Sequence, residues 1–103
     1  MKVIYADTNK YDGEYRLILT CQGTKRDLAK FGITLTEGLT LTFYMDDADD
    51  EGNRDDLIFE GTVHFDQIKR HWVAEVDWDQ IKNLSKLSKG LGSDLQYCNE
   101  CNE

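Results

Sequence analysis

A chain of 103 residues, 40% of them apolar and 11% aromatic, can bury the core of one domain and is too short for two of ordinary size. Its 20 acids against 12 bases give a formal charge of −8, which disfavours nucleic acid or an anionic membrane as partner, because phosphate contacts need clustered Lys and Arg. Charged residues reach 31%, but well-spread aromatic and β-branched residues exclude the disordered class. No apolar run is long enough to cross a bilayer or to serve as a secretory signal, and three cysteines fit poorly with a disulfide framework. A cytoplasmic location is expected.

In chain order, residues 1–8 read as a first strand with Val3 and Tyr5 on one side, and Tyr11-Asp12-Gly13 reads as a turn. Residues 14–22 alternate, with Tyr15, Leu17, Leu19 and Cys21 pointing one way, although Ile18 breaks the pattern. Thr24 with Asp27 has the form of a capping box, Leu28 and Phe31 lie three apart, and Gly32 is a stop, so a short helix is expected. A short extended piece at residues 33–36 and a Glu37-Gly38 turn precede the clearest strand, where Leu39, Leu41, Phe43 and Met45 alternate with threonines and Tyr44.

After an acidic loop, Leu57, Phe59, Gly61, Val63 and Phe65 form the next alternating run. Residues 66–70 make a hairpin connection, and Trp72, Ala74 and Val76 return as the partner strand. Asp77 is placed to cap a second helix carrying Trp78, Ile81, Leu84 and Leu87 on one face and Lys82, Lys86 and Lys89 toward its end, stopped by Gly90 and Gly92. The predicted fold is mainly β (α+β): a small antiparallel SH3-like barrel or curled sheet with two short helices. An open antiparallel sheet with one helix on a face is the alternative. Residues 1–92 form the compact domain, and residues 93–103 a flexible tail.

The acidity is concentrated. Between residues 46 and 56 stand seven acids and one base, Arg54, so this window carries −6 and the rest of the chain only −2. Such charges repel, and a hard cation that takes 6–8 oxygen ligands relieves the repulsion. Asp47, Asp49 and Glu51 fall at the first, third and fifth positions of an EF-hand loop, with Gly52 at the turn and Asp55 ninth. The twelfth position is Ile58, not a bidentate Glu, and strands flank the loop, so this is not an EF-hand.

The loop still has the ligand chemistry for calcium. Asp47, Asp49, Glu51, Asp55 and the Asn53 carbonyl lead, Asp46, Asp50 and Asp56 complete the candidate set, and the expected affinity is roughly 10⁻⁶ to 10⁻³ M. Two other readings stand beside it: a solvated hairpin whose charges deter aggregation, and an acidic patch for a basic protein partner.

The stretch DDADDEGNRDDLIFEGTVHFD followed by HWVAEVDWDQI resembles short acidic bacterial proteins, among them a cyanobacterial type of small calcium-binding protein that lacks EF-hands; the similarity covers about a third of the chain. It implies a calcium buffer or sensor, with acids outside the loop contributing. Asp77 and Asp79 are the candidates there, against plain roles as helix cap and first-turn acid.

Cys98 and Cys101 form a lone CxxC in the tail, and only Cys21, His64 and His71 could complete a zinc set, so a passive tail is expected. No Ser or Cys nucleophile with a matching acid and base can be placed beside either histidine, and both read as ordinary sheet residues. Trp72 and Trp78 read as core, and Gly90-Leu91-Gly92 lacks the strand and helix of a phosphate loop. The expected protein is therefore no enzyme. It is a small calcium binder, or else an interaction module of immunity, inhibitor or nucleic-acid-mimic type that docks a basic partner.

Overall fold

Period-two alternation builds the centre of the sheet. In a computed structural model that describes residues 2–86, β3 (Thr40–Met45), β4 (Leu57–Asp66) and β5 (His71–Val76) form an antiparallel meander. Phe43 lies opposite Phe59, and Val63 opposite Ala74. The buried members of these rows, together with Ile4, Leu17, Leu19 and Leu28, make the main core. A fully buried side chain such as Phe43 contributes about 1.5–3 kcal/mol relative to exposure.

Two short strands flank the meander. β1 (Val3–Tyr5) runs parallel to β3, and β2 (Leu17–Ile18) runs antiparallel to β5, giving the order β1-β3-β4-β5-β2. The result is mainly sheet, as expected, but mixed and open rather than an all-antiparallel closed barrel. Residues 14–22 shrink to the two paired residues of β2, because a tight turn takes up Tyr15 and the helix begins at Gln22. A second apolar cluster of Val3, Tyr44 and Ile58, with Tyr5 and Leu84 against it, covers the opposite face at the β1 side.

The one α-helix among the described residues, α1 (Gln22–Phe31), starts three residues earlier than the capping-box reading, with Thr24 as cap, places it. Thr24 and Asp27 are fully buried and are not its caps. Thr24 Oγ1 donates to the Tyr5 carbonyl at 2.6 Å, and Asp27 Oδ2 accepts the Tyr5 N–H at 2.8 Å. Both therefore fasten the helix to β1. Gly32 does end it, in the left-handed conformation at φ 66° that a Cβ disfavours.

The second helix is absent from residues 77–86. Asp77 does act as a cap, accepting the Asp79 N–H, but the chain continues as a 3-10 turn (Trp78–Gln80), then β6 (Lys82–Asn83), then another 3-10 turn (Leu84–Lys86). The three-residue spacing of Trp78, Ile81 and Leu84 matches a 3-10 repeat better than a 3.6-residue one. Pairing of β6 with Leu57 and Ile58 of β4 then supplies the backbone bonds that a helix would have made internally. Leu87, Lys89, the Gly90 and Gly92 stop and the tail at 93–103 lie outside the described residues.

Candidate functional site

The acidic loop extends the β3–β4 hairpin beyond the Met45–Leu57 pair. Asp55 N–H donates to the Asp47 carbonyl, and Asp49 N–H to the Asn53 carbonyl, both at 2.9 Å. Ala48 and Arg54 bridge between these two rungs. At the tip Asp49 Oδ1 accepts the N–H groups of Glu51 (3.0 Å) and Asn53 (2.9 Å), an Asx turn, while Gly52 takes φ 85°. The Asp and Gly that suggest a cation loop here serve as turn residues.

The remaining carboxylates diverge. Asp56 is buried at 2% exposure and accepts Arg54 Nε at 2.9 Å, while Asp46 faces the same guanidinium at 3.4 Å. Asp47 Oδ2 accepts from the Asn83 amide at 2.8 Å. Asp55 accepts the Ser85 hydroxyl at 2.7 Å and its N–H at 2.9 Å, and these two bonds hold its carboxyl below the usual range, with help from the Lys86 charge. The Asn83 amide also donates to the Asp55 carbonyl at 2.7 Å, and Leu84 N–H to the Asp56 carbonyl at 2.8 Å. Asp50 and Glu51 are exposed, and among the described residues their side chains have no hydrogen bond or ion pair.

Repulsion in the loop is thus relieved by one guanidinium and by N–H and O–H donors, half of them from residues 83–85. Among the described residues no three His, Cys, Asp or Glu side chains converge closely enough to hold a metal ion. As placed, the candidate ligands Asp46, Asp47, Asp49, Asp50, Glu51, Asn53, Asp55 and Asp56 share one loop without forming one coordination site. Asp77 and Asp79 are joined by a cap bond of 3.1 Å.

The histidines are separated in role. His64 Nδ1 meets Glu37, and its Nε2 lies 3.5 Å from Glu75; the His64 bond and the Phe65 N–H hold the Glu37 carboxyl low. Among the described residues His71 Nε2 is buried and has no hydrogen-bond partner. Cys21 Sγ lies 3.0 Å from Thr24 Oγ1, and Cys98 and Cys101 lie outside the described residues.

Two features escape sequence reasoning. One is an ion network in which Arg16 Nη2 reaches Asp12 and Asp66, both at 2.8 Å, and Glu14 at 3.1 Å. The other is an exposed aromatic group of Tyr11 and Tyr15 beside Trp78. The Tyr11-Asp12-Gly13 turn is the only local signal for either. No family model matches the chain, and no curated protein or solved structure matches it significantly.

Proposed function

We propose that the chain is a non-catalytic binding module whose acidic β3–β4 hairpin docks a basic protein partner. The observation that carries this reading is the fixed shape of the hairpin: its own turn bonds and the donors of residues 83–85 hold it, and among the described residues the Asp50 and Glu51 side chains remain unengaged at the exposed tip. A preshaped anionic prong loses little entropy on docking and steers a cationic partner over a Debye length of about 8–10 Å. A partner that otherwise holds nucleic-acid phosphate suits this chemistry, as in immunity or inhibitor proteins that mimic such charge. Catalysis is left out of the reading because among the described residues no hydrogen bond joins His64 or His71 to a hydroxyl or thiol.

A calcium buffer or sensor is the second reading, favoured by the Asp47, Asp49 and Glu51 alternation ahead of Gly52 at φ 85°. It requires Asp49 to leave its turn and Asp55 to leave Ser85, so ion binding would remodel the loop and loosen residues 84–86.

One calorimetric comparison separates the two. Calcium is titrated into metal-stripped wild type and the Asp47→Asn/Asp49→Asn variant with magnesium as control, and a lysine-rich peptide into wild type and the Asp50→Asn/Glu51→Gln variant. Peptide heat that salt screens and the tip variant weakens, with no calcium-selective heat, supports docking. Saturable calcium-selective heat lost in the Asp47→Asn/Asp49→Asn variant overturns docking in favour of calcium.

A further inference from the structure

The turn before β2 presents aromatic rings to solvent in a rigid frame. Asp12 is buried, and its carboxylate accepts the N–H groups of Glu14 and Arg16 and the Arg16 Nε, each at 2.9 Å. These bonds close the turn so tightly that Tyr15 sits at φ 60°, in the left-handed region that a bulky residue rarely adopts. Trp78 holds it there, donating its indole N–H to the Tyr15 carbonyl at 2.7 Å.

Tyr11 and Tyr15 are 52% and 68% exposed, yet they stack on each other with centroids 5.8 Å apart, and Trp78 meets Tyr11 edge-on at 6.5 Å. Rings so exposed add little to a core, whereas fixed tyrosine and tryptophan surfaces are the usual anchors of protein interfaces. The charges beside them are mainly negative. Glu14 precedes Tyr15, and Asp77 and Asp79 flank Trp78, all three exposed. Arg16 is committed to Asp12, Glu14 and Asp66, and exposed Lys10 precedes Tyr11 in the chain.

We propose that this Tyr11–Tyr15–Trp78 platform receives an arginine side chain of the basic partner, its guanidinium lying on the exposed face of Tyr15 with the neighbouring carboxylates as counter-charge. The proposal rests on the partner being basic, which is also the basis of docking at the hairpin. Arginine is favoured over lysine because a planar, weakly hydrated guanidinium stacks on an aromatic face while a compact ammonium keeps its water.

The test has two arms. In the first, N-acetyl-arginine amide is titrated into the full chain while the ring signals of Tyr11, Tyr15 and Trp78 are followed by NMR. In the second, a labelled hexa-arginine peptide is bound to wild type, Tyr15→Gly, Tyr15→Phe and Asp50→Asn/Glu51→Gln. Glycine suits the φ 60° backbone, so Tyr15→Gly removes the ring without unfolding the turn. The expected result is saturable shifts confined to these rings, a loss of about fivefold in peptide affinity in Tyr15→Gly, and retention in Tyr15→Phe. Unmoved ring signals, or a Tyr15→Gly variant that binds the peptide as wild type does, would overturn the anchor whatever the hairpin does. An Asp50→Asn/Glu51→Gln variant without effect, beside a Tyr15→Gly variant with one, would overturn the hairpin reading and leave the anchor standing.

Discussion

Asp27 lies inside α1, but its carboxylate completes β1: Oδ2 accepts the Tyr5 N–H at 2.8 Å, while the Thr24 hydroxyl one turn earlier donates to the Tyr5 carbonyl at 2.6 Å. Both polar groups of one strand residue are thus satisfied by helix side chains. The arrangement explains how two fully buried polar residues fit in a core. Asp27→Ala leaves the Tyr5 N–H without that acceptor, a loss of about 1–3 kcal/mol. Urea unfolding reads this directly, and a midpoint equal to that of wild type would show the bond to be dispensable.

Close approach of α1 to Tyr5 sets a second limit. A Cβ built on Gly23 falls 2.5 Å from Tyr5 Cδ2, a distance no real contact holds, and that ring is itself set edge-on to Tyr44 at 5.7 Å. Alanine normally gains roughly 1 kcal/mol over glycine within a helix. Here overpacking costs about 1–3 kcal/mol, so Gly23→Ala is expected to destabilise on balance. Adding Tyr5→Leu should recover part of the loss, and thermal unfolding of the single and double variants checks the sign.

Where a signal is local, the fold is legible. Alternation locates β3, β4 and β5, and Gly32 marks the end of α1. Thr24 and Asp27 mislead because the residue types that cap a helix also suit the tertiary bonds they make. Trp78, Ile81 and Leu84 mislead because β6 exists only through Leu57 and Ile58, some 25 residues away in sequence. The loop is legible as a turn. The destinations of its carboxylates are not, since Asn83 and Ser85 are about 30 residues removed.

Tyr15 belongs to the inward row with Leu17 and Leu19 by alternation, yet it is 68% exposed. A left-handed residue breaks the pleat, and no spacing rule announces it. Left-handed backbone costs a bulky residue about 1–2 kcal/mol, and the extra freedom of an unfolded glycine costs about 0.5–1 kcal/mol. Tyr15→Gly is therefore expected to fold with stability equal to or slightly above that of wild type. A markedly lower melting temperature would mean that the ring stabilises the turn through Tyr11.

Acid should unfold the protein through a small set of carboxylates. Burial pushes the Asp12 carboxyl up, but the Arg16 N–H and guanidinium and the Glu14 N–H together outweigh it and hold the value below 3.8. Asp66 is lowered mainly by the Lys69 N–H, Asp55 by the Ser85 hydroxyl, and Glu37 by His64. Each folded value lies below its unfolded one, so the unfolded chain binds more protons as the medium acidifies. The stabilisation is complete above the unfolded values of 3.8 for Asp and 4.5 for Glu, and it is lost as pH falls through the folded ones. Urea midpoints measured downward from about pH 6 should hold level and then drop below about pH 4.5. Asp12→Asn should start lower and fall less steeply; an unchanged slope would assign acid unfolding to other groups.

The bonds from Asp55 to Ser85 tie the acidic hairpin to the last described turn, and they make the hairpin's state readable at a distance. Asp55→Ala removes both, so the Ser85 amide should exchange with solvent faster while amides of the Phe43–Phe59 pair keep their protection. The same amide reports on the competing readings of the loop. A basic peptide docked on Asp50 and Glu51 leaves Asp55 on Ser85 and the exchange rate unaltered. Calcium that recruits Asp55 must take it from Ser85, so adding the ion to wild type would reproduce the faster exchange of Asp55→Ala. Exchange at Ser85 that responds to neither the substitution nor the ion would show that the hairpin and residues 84–86 are not coupled through this carboxylate.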